Sequence, residues 1–320
     1  MSETSSTDEI VRLSGAIIQA GSKSFAAAAT IFDPETRASA YLLYAWCRHC
    51  DDVIDGQQLG YDQGNTPNHD PRKELIKLRK QTNDALTDLP TDDPIFSALQ
   101  KVVSKNNIPK IYPLALLDGF EMDVDKKSYQ TIEDTLNYCY HVAGVVGVMM
   151  SLIMGAKDDL TLDRASDLGL AFQLTNIARD VIEDAQNGRV YLPTDWLRSA
   201  GLNADPNLLL QKSNREQLVI VVSRLLKEAE KYYDSSLSGL PKLGFRSSWA
   251  IATARIVYRK IGAELIKKGP KAWDKRVSTT KYQKLSALIS GLGAAIYSHT
   301  IGQHVAPYPR DGLWTRPKDL

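Results

Sequence analysis

Two short stretches of the chain carry oxygen-bearing side chains at spacings that could serve a shared cation. In the first, CRHCDDVID, one helical turn separates Asp51 from Asp55, so a helix would aim both carboxylates at the same space. Such carboxylates repel each other, and a divalent cation between them turns that repulsion into attraction. Arg48 falls on the same side of the helix. The alternative is that Arg48 only forms surface salt bridges with these acids, which would carry no function.

The second stretch, FQLTNIARDVIED, favours the cation. Asn176, Asp180 and Asp184 follow one another at intervals of four residues and would line two turns of a helix with oxygen atoms. Mg²⁺ prefers such ligands and usually combines one or two carboxylates with substrate phosphate oxygens. Arg48 and Arg179 flank the two stretches, and a guanidinium binds phosphate oxygens through paired hydrogen bonds. Two such faces opposite each other predict a site for Mg²⁺ and a diphosphate.

The elements that must position these residues are predicted to be helices. Apolar residues recur every three or four positions in EIVRLSGAIIQA, TRASAYLLYAWCRHCDDVID, PRKELIKLRKQTNDAL, IEDTLNYCYHVAGVVGVMMSLI, RASDLGLAFQLTNIARDVIEDA, REQLVIVVSRLLKEAEKYYDSSL and SWAIATARIVYRKIGAELIKK. Asp33-Pro34 predicts a helix start, and Asn187-Gly188 predicts a helix end. No alternating strand pattern appears, and neither the polar loop 60–72 nor the Pro-containing tail 302–320 separates regions of different composition. The sequence predicts an all-α fold with one domain over residues 1–320.

Composition and charge exclude several classes of protein. The chain is 43% hydrophobic and 24% charged with a formal net charge of +1, so it lacks the basic surplus of a nucleic-acid-binding protein. The first 15 residues lack the basic and apolar regions of a secretory signal. With only three cysteines, a cytoplasmic, thiol-reduced protein is expected. The most apolar run, residues 142–156, is shorter than the roughly 18 residues of a membrane span. Its glycines predict a tightly packed internal helix.

The two acidic stretches resemble those of the squalene/phytoene synthase family. GSKSF lies upstream and NYCYHVAGVVG lies between them, and these four blocks follow the family's order within about residues 15–290. The resemblance implies an isoprenoid synthase-type helical bundle around a central cavity, prenyl diphosphate substrates and a requirement for Mg²⁺ or Mn²⁺.

The residues of these four blocks are most similar to those of bacterial members of the family. In these, two geranylgeranyl diphosphates condense head to head (1′–1) to phytoene through prephytoene diphosphate, with release of diphosphate. This is the first committed step of carotenoid biosynthesis. The alternative is a squalene or dehydrosqualene type of synthase that uses farnesyl diphosphate.

The resemblance also assigns roles to individual residues of this chain. The implied metal ligands are Asp51, Asp55, Asn176, Asp180 and Asp184, and the four aspartates together with Tyr138 are the implied catalytic residues. The implied substrate-binding residues are Ser22, Ser24, Tyr44, Arg48, Gln173, Arg179, Tyr258 and Arg276. Segment 188–193, GRVYLP, would be a mobile flap beside the second acidic stretch.

Tyr138 begins a stripe that continues through Val142, Val145 and Met149 on one helix. Such a stripe is usually part of a hydrophobic core. In the family, the corresponding helix lines the substrate channel, and its tyrosine lies near the reacting carbons. Both interpretations stay open from the sequence.

The same residues can be compared with what alternative functions would require, and they also indicate partners. A chain-elongating prenyltransferase would carry a second Asp-Asp-x-x-Asp, which NIARDVIED is not. A helical scaffold would use the acids only as salt bridges, and an assembly factor would have lost them. The CxxC of Cys47 and Cys50 lacks the further ligands of a zinc site. No NADPH is expected, and no glycine-rich dinucleotide fingerprint appears. Long hydrocarbon substrates predict contact with a membrane face without spanning it, and other carotenoid or isoprenoid pathway enzymes are expected partners.

Overall fold

The computed structural model describes residues 11–18, 23–58, 61–62, 69–87 and 89–318, and these are mostly helical. The long helices are α3 (Pro34–Asp55), α4 (Pro71–Leu86), α5 (Pro94–Asn106), α6 (Ile111–Val124), α9 (Asp159–Gln186), α12 (Arg215–Ser236), α13 (Phe245–Lys268) and α14 (Lys281–Thr300). The shorter ones are α1 (residues 11–18), α2 (Lys23–Ala29), α7 (Ile132–Cys139), α8 (Val145–Ile153), α10 (Thr194–Ser199) and α11 (Pro206–Leu210). The all-α prediction is confirmed, apart from an antiparallel pair of two-residue strands, β1 (Gln57–Gln58) and β2 (Tyr61–Asp62).

The ends of α3 and α9 follow the sequence signals. The Asp33 side chain accepts hydrogen bonds from two backbone amides of the first turn of α3, and Pro34 occupies the first helical position. Asn187 caps α9, and Gly188 follows with φ +72°, a left-handed conformation that favours glycine. These two helices carry the acidic stretches, and their ends fix where the acidic turns stop.

Three of the long helices, α5, α6 and α14, lie outside the stretches whose periodicity predicted helices, as do the short helices α2, α10 and α11. In α6, most of the residues before Glu121 are buried, so no polar face alternates with an apolar one. In α14, the buried residues are small, and most of the large apolar residues are exposed. Periodicity detects a helix with one apolar stripe facing the core, and these two helices do not have that pattern.

The centre of the fold is α9, which packs against α8, α12 and α13. A Cβ atom on Gly169 would lie 2.4 Å from the Ala143 carbonyl oxygen, and one on Gly147 would lie 2.4 Å from that of Ala165. The backbone of α9 therefore approaches that of α8 and the turn before it to a distance that only glycine permits at these positions. The prediction of a tightly packed internal helix is confirmed.

A π-helical turn over Tyr140–Gly144 joins α7 and α8 into one continuous helix, Ile132–Ile153. This helix is long and apolar enough to cross a membrane, so the prediction that the stretch is too short was wrong. The reason is that the prediction rested on the apolar run 142–156 alone, whereas the helix that contains it begins ten residues earlier, at Ile132. In its most apolar window, 67% of the residues are buried inside the protein, as in a core helix.

Residues 305–318 form a C-terminal strap that lies along α9 and α12. The Trp314 backbone amide donates to the Tyr232 hydroxyl, and the Trp314 ring packs against Tyr140 with centroids 5.1 Å apart. The Arg316 side chain is 3% exposed. The tail predicted as a Pro-containing loop is therefore irregular but closely packed on the helices.

Candidate active site

A cavity of about 930 Å³ runs between α3, α8, α9 and α13. Along α9 its lining extends from Thr161 to Asp184, a rise of about 35 Å at about 1.5 Å per residue. Five aspartates, Asp51, Asp55, Asp123, Asp180 and Asp184, gather at the end of the cavity that lies near the C-terminus of α9. Most of the remaining lining is apolar, so the cavity combines an acidic end with a long hydrophobic channel.

Most of the predicted site residues come together here. Those that line the cavity are Tyr44, Arg48, Asp51, Asp55, Tyr138, Gln173, Asn176, Asp180, Asp184 and Tyr258. Arg179 and Arg276 do not line it, but both contact Asp180 from the side. Ser22 lies outside the described residues, as does the side chain of Ser24, so their predicted contact with a diphosphate stays a prediction.

On α3, the acidic side chains form ion pairs with arginines. Arg48 lies 3.0 Å from a carboxylate oxygen of Asp51 and 2.8 Å from one of Asp52, which is the arrangement of the salt-bridge alternative. Arg189 donates to Asp55 at 2.6 Å. Burial between the cavity walls and the neighbouring Asp55 charge raise the pKa of Asp51 to about 7. Arg48 and Arg189 together therefore do not neutralise the three carboxylates of this turn fully.

On α9, the line of oxygen ligands is unevenly neutralised. Arg179 donates to Asp180 at 2.8 and 2.5 Å, and Arg276 donates to it at 3.1 and 3.0 Å. Burial opposes ionisation of Asp180, but these two guanidinium groups outweigh it and lower the pKa of Asp180. The Asp184 carboxylate accepts no hydrogen bond from the described residues. Burial and the charge of Asp180 raise the pKa of Asp184 to about 8.

The donor set fits a hard divalent cation. The Asn176 side-chain oxygen is buried without a hydrogen-bond partner, while its amide group donates to Gln173 at 3.3 Å. An orphaned buried oxygen costs free energy unless a donor or cation reaches it. Among the described residues, no three Asp, Glu, His or Cys side chains converge as a metal cluster by themselves. Such a set suits Mg²⁺, which takes few protein carboxylates and completes its shell with water and phosphate oxygens.

Three further residues belong to the acidic end and were missed from the sequence. Asp123 of α6 accepts hydrogen bonds from the hydroxyls of Tyr138, at 3.0 Å, and Tyr191, at 2.7 Å. The two tyrosine rings stack with centroids 4.6 Å apart, and burial raises the pKa of Asp123. Arg189 reaches the same end from the segment predicted as a flap. The available signal was Asp123 itself, a carboxylate in the helical stretch YPLALLDGFEMDVD.

The segment around Tyr191 is anchored in this structure. Thr135 donates to the Tyr191 carbonyl at 2.9 Å, and the Thr194 amide donates to the Tyr129 carbonyl at 2.9 Å. The Tyr191 side chain is 7% exposed. These contacts place the predicted flap as a wall over the acidic end.

The two interpretations left open for the Tyr138 stripe each hold for half of it: the first half lines the cavity, and the second half belongs to the core. Tyr138 and Val142 line the cavity, but Val145 and Met149 are fully buried, and Val146 and Met150 line the cavity instead. The cause is the π-helical turn, in which the Val145 amide bonds the Tyr140 carbonyl five residues back. This wide turn contains one extra residue and shifts the cavity face by one position.

Comparisons with known proteins agree with this geometry. Residues 18–283 match the family model of squalene/phytoene synthase. The chain is 49% identical to a 15-cis-phytoene synthase from Enterobacter agglomerans over 94% of its own length and 100% of that protein. It is also 49% identical to a 15-cis-phytoene synthase from Pantoea ananas, over 93% of this chain and 94% of that one. The solved structure of a dehydrosqualene synthase in complex with ligand superposes with a TM-score of 0.79 at 30% identity, covering 90% of this chain and 96% of that one.

This chain therefore belongs to the squalene/phytoene synthase family, as its sequence motifs predicted. The extent of the match, over most of the chain and nearly all of each relative, covers every element that lines the cavity.

Proposed function

We propose that this chain condenses two geranylgeranyl diphosphates head to head to phytoene through prephytoene diphosphate, releasing diphosphate. The observation that carries this proposal is the acidic cluster at one end of a long apolar cavity. A prenyl diphosphate has the same division, with a charged head and a hydrocarbon chain. Relatives named 15-cis-phytoene synthase at 49% identity favour geranylgeranyl over farnesyl diphosphate.

We further propose that Asp51, Asp55, Asn176, Asp180 and Asp184 hold Mg²⁺ or Mn²⁺. When bound, the cation would neutralise the leaving diphosphate as a Lewis acid. The unpartnered Asn176 oxygen and the raised pKa values of Asp51 and Asp184 support this assignment, because each describes a site short of positive charge.

The arginines of the site would bind the phosphate groups. Arg48 Nε is buried and has no hydrogen-bond partner, so this side chain retains a donor beyond its two aspartate contacts. Arg179 and Arg276 converge on Asp180 at the rim and would supply further donors to phosphate oxygens. Their preorganised positive charge would favour departure of the diphosphate.

The chain's apolar and aromatic residues would protect the allylic cation that remains. Tyr138 would face the reacting carbons, with its hydroxyl held by Asp123 and its ring stacked on Tyr191. Phe172 and Tyr258 stack with centroids 4.2 Å apart in the opposite wall, next to Tyr44 and Gln173 in the lining. Aromatic faces attract positive charge, and a dry channel prevents capture of the cation by water.

The test is a hydrocarbon assay with purified protein. Each diphosphate is supplied separately with Mg²⁺ and without NADPH, and the products are extracted and separated. Phytoene from geranylgeranyl diphosphate, abolished by EDTA, is expected. Dehydrosqualene from farnesyl diphosphate alone would overturn the substrate, and no product from either would overturn the reaction.

The cellular setting is proposed on the same basis. We propose a cytoplasmic protein of one domain over residues 1–320 that meets membranes and other isoprenoid pathway enzymes through its hydrophobic substrate and product. No nucleic acid partner is proposed, because the net charge of +1 provides no basic surplus.

A further inference from the structure

Helix α14 turns its large apolar side chains away from the protein. This α14 outer face consists of Tyr282 (86% exposed), Leu285 (58%), Ile289 (66%), Ile296 (49%) and Tyr297 (52%). A surface helix normally turns such residues toward the core and polar ones toward water. Isolated exposed apolar residues are ordinary, but a continuous row of them marks an interaction surface.

The packing of α14 on α13 explains this reversal. The inward positions are small residues, Ala287, Gly291 and Ala295. A Cβ on Gly291 would lie 2.3 Å from the Thr253 hydroxyl oxygen, so the two helices approach too closely for large side chains between them. The large residues are therefore kept on the outside, and nothing in the described part of the chain covers them.

The α14 outer face is continuous with the cavity. Leu285 belongs to both, and its neighbours Lys284 and Leu288 also line the cavity. A hydrocarbon chain lying on the outer face would thus reach the channel over the apolar side chain of Leu285.

The charges on α14 and in the segment that leads into it are mostly basic. Between Lys281 and Thr300, α14 contains no Asp or Glu. Residues 259–284, which lead from α13 into the first turn of α14, contain nine lysines and arginines but only two acidic residues. An apolar helical face with a basic border is the pattern of a helix that lies in a membrane interface, where the cations attract anionic headgroups.

We propose that the α14 outer face docks on an anionic lipid bilayer. The bilayer surface would then lie beside Leu285, where the cavity opens to the outer face. The further inference that lipid-dissolved substrate enters there rests on the proposed function, whereas the docking itself does not.

Vesicle sedimentation tests the docking. Wild-type protein is mixed with vesicles of phosphatidylcholine alone, or with added phosphatidylglycerol, and the bound fraction is measured. The double variant Ile289→Glu/Ile296→Glu should bind the anionic vesicles at least about tenfold more weakly, because two charges replace apolar anchors. The control is Ile76→Glu on α4, where an isoleucine of similar exposure, 63%, lies among lysines. It should bind like wild type.

Two outcomes would overturn the docking: wild-type protein that ignores both kinds of vesicle, or a double variant that binds as wild type does. A third is a wild-type dimer in sedimentation velocity that the double variant converts to monomer without any vesicle binding. That result would assign the face to a second copy of the chain.

An assay in detergent micelles separates this inference from the proposed function. Ile289 and Ile296 do not line the cavity, so the double variant should keep wild-type activity in micelles within about threefold and lose activity only on vesicle-embedded substrate. Wild-type protein that binds vesicles but makes no product in micelles would refute the proposed function and leave the docking intact.

Discussion

Helix α9 carries two lines of side chains at the same four-residue spacing. In one line every side chain has a hydrogen-bond donor, and in the other some have none. The first is Asp159, Asp163 and Asp167 in its N-terminal half, and the second is Asn176, Asp180 and Asp184 in its C-terminal half. An arginine stands within each line: Arg164 in the first and Arg179 in the second. By spacing and residue type alone, both could be taken for a metal site.

The first line is completely paired. Arg316 of the C-terminal strap donates to Asp163 and Asp159 at 2.8 Å each, and Arg310 donates two hydrogen bonds to Asp167, at 2.9 and 2.8 Å. The Asp167 side chain is 1% exposed. Burial is deep enough to raise the pKa of Asp167 despite Arg310, so the network holds only because every carboxylate has donors.

The second line faces the cavity and is left incomplete. The Asp184 carboxylate accepts no hydrogen bond from the described residues, and the Asn176 side-chain oxygen has no hydrogen-bond partner. The comparison teaches that the spacing of acids places them on one face, while the surface opposite decides their role. A strap of arginines makes one line structural, and an open cavity leaves the other available to a ligand.

The largest effect is expected from Asp167→Asn. This change leaves Arg310 without its bidentate partner in a buried network, which typically costs about 3–5 kcal/mol in the free energy of unfolding. Urea unfolding measures the loss. The variant's kcat/KM at a temperature where it is folded should stay within about threefold of wild type, and an unchanged stability would contradict the structural role of the first line.

Asp184→Asn should lower activity and leave stability unchanged, the reverse of Asp167→Asn. Loss of this carboxylate should lower kcat/KM about 100-fold, or about 2.7 kcal/mol in transition-state stabilisation. Its raised pKa means that this carboxyl destabilises the fold at neutral pH, and, unlike Asp167, it has no guanidinium partner that the change would leave unpaired. The melting temperature should therefore not fall. Asp180→Asn is the matched comparison. It should lose similar activity but melt lower, because it also breaks the pairs with Arg179 and Arg276.

Arg48→Lys separates a salt bridge from a phosphate contact. Lysine keeps a charge near Asp51 and Asp52 but loses the planar pair of donors. We expect stability to change by less than about 1 kcal/mol and kcat/KM to fall at least tenfold, about 1.4 kcal/mol. Unchanged kinetics would show that Arg48 only forms salt bridges with the aspartates and does not bind a phosphate group.

The smallest effect is expected at the rim of the first line. Asp159 is 63% exposed although it contacts Arg316, so solvent screens the pair. Asp159→Asn should lower the free energy of unfolding by no more than about 0.5 kcal/mol. A loss as large as that of Asp167→Asn would show that the network does not divide into a buried centre and an exposed rim.

Local periodicity was enough to predict α3, α9 and the faces that carry Asp51, Asp55, Asp180 and Asp184. It was not enough for contacts between distant segments. Arg189 meets Asp55 across 134 positions, and no pattern in either stretch indicates that pair. The same limit applies to Asp123 with Tyr191. The π-helical turn escaped prediction because a regular helix and a widened one have the same local composition.

The C-terminal strap also has a consequence for the order in which the chain can fold. Its arginines neutralise aspartates that precede them by 143 and 153 positions, and closing so long a loop costs entropy before any contact forms. During synthesis, α9 is made long before Arg310 and Arg316. Until these arginines are available, the carboxylates of Asp163 and Asp167 cannot be buried favourably, so the N-terminal half of α9 cannot complete its packing. The strap thus completes the burial of α9, and a chain released before residue 316 is expected to be a substrate for chaperones and proteases.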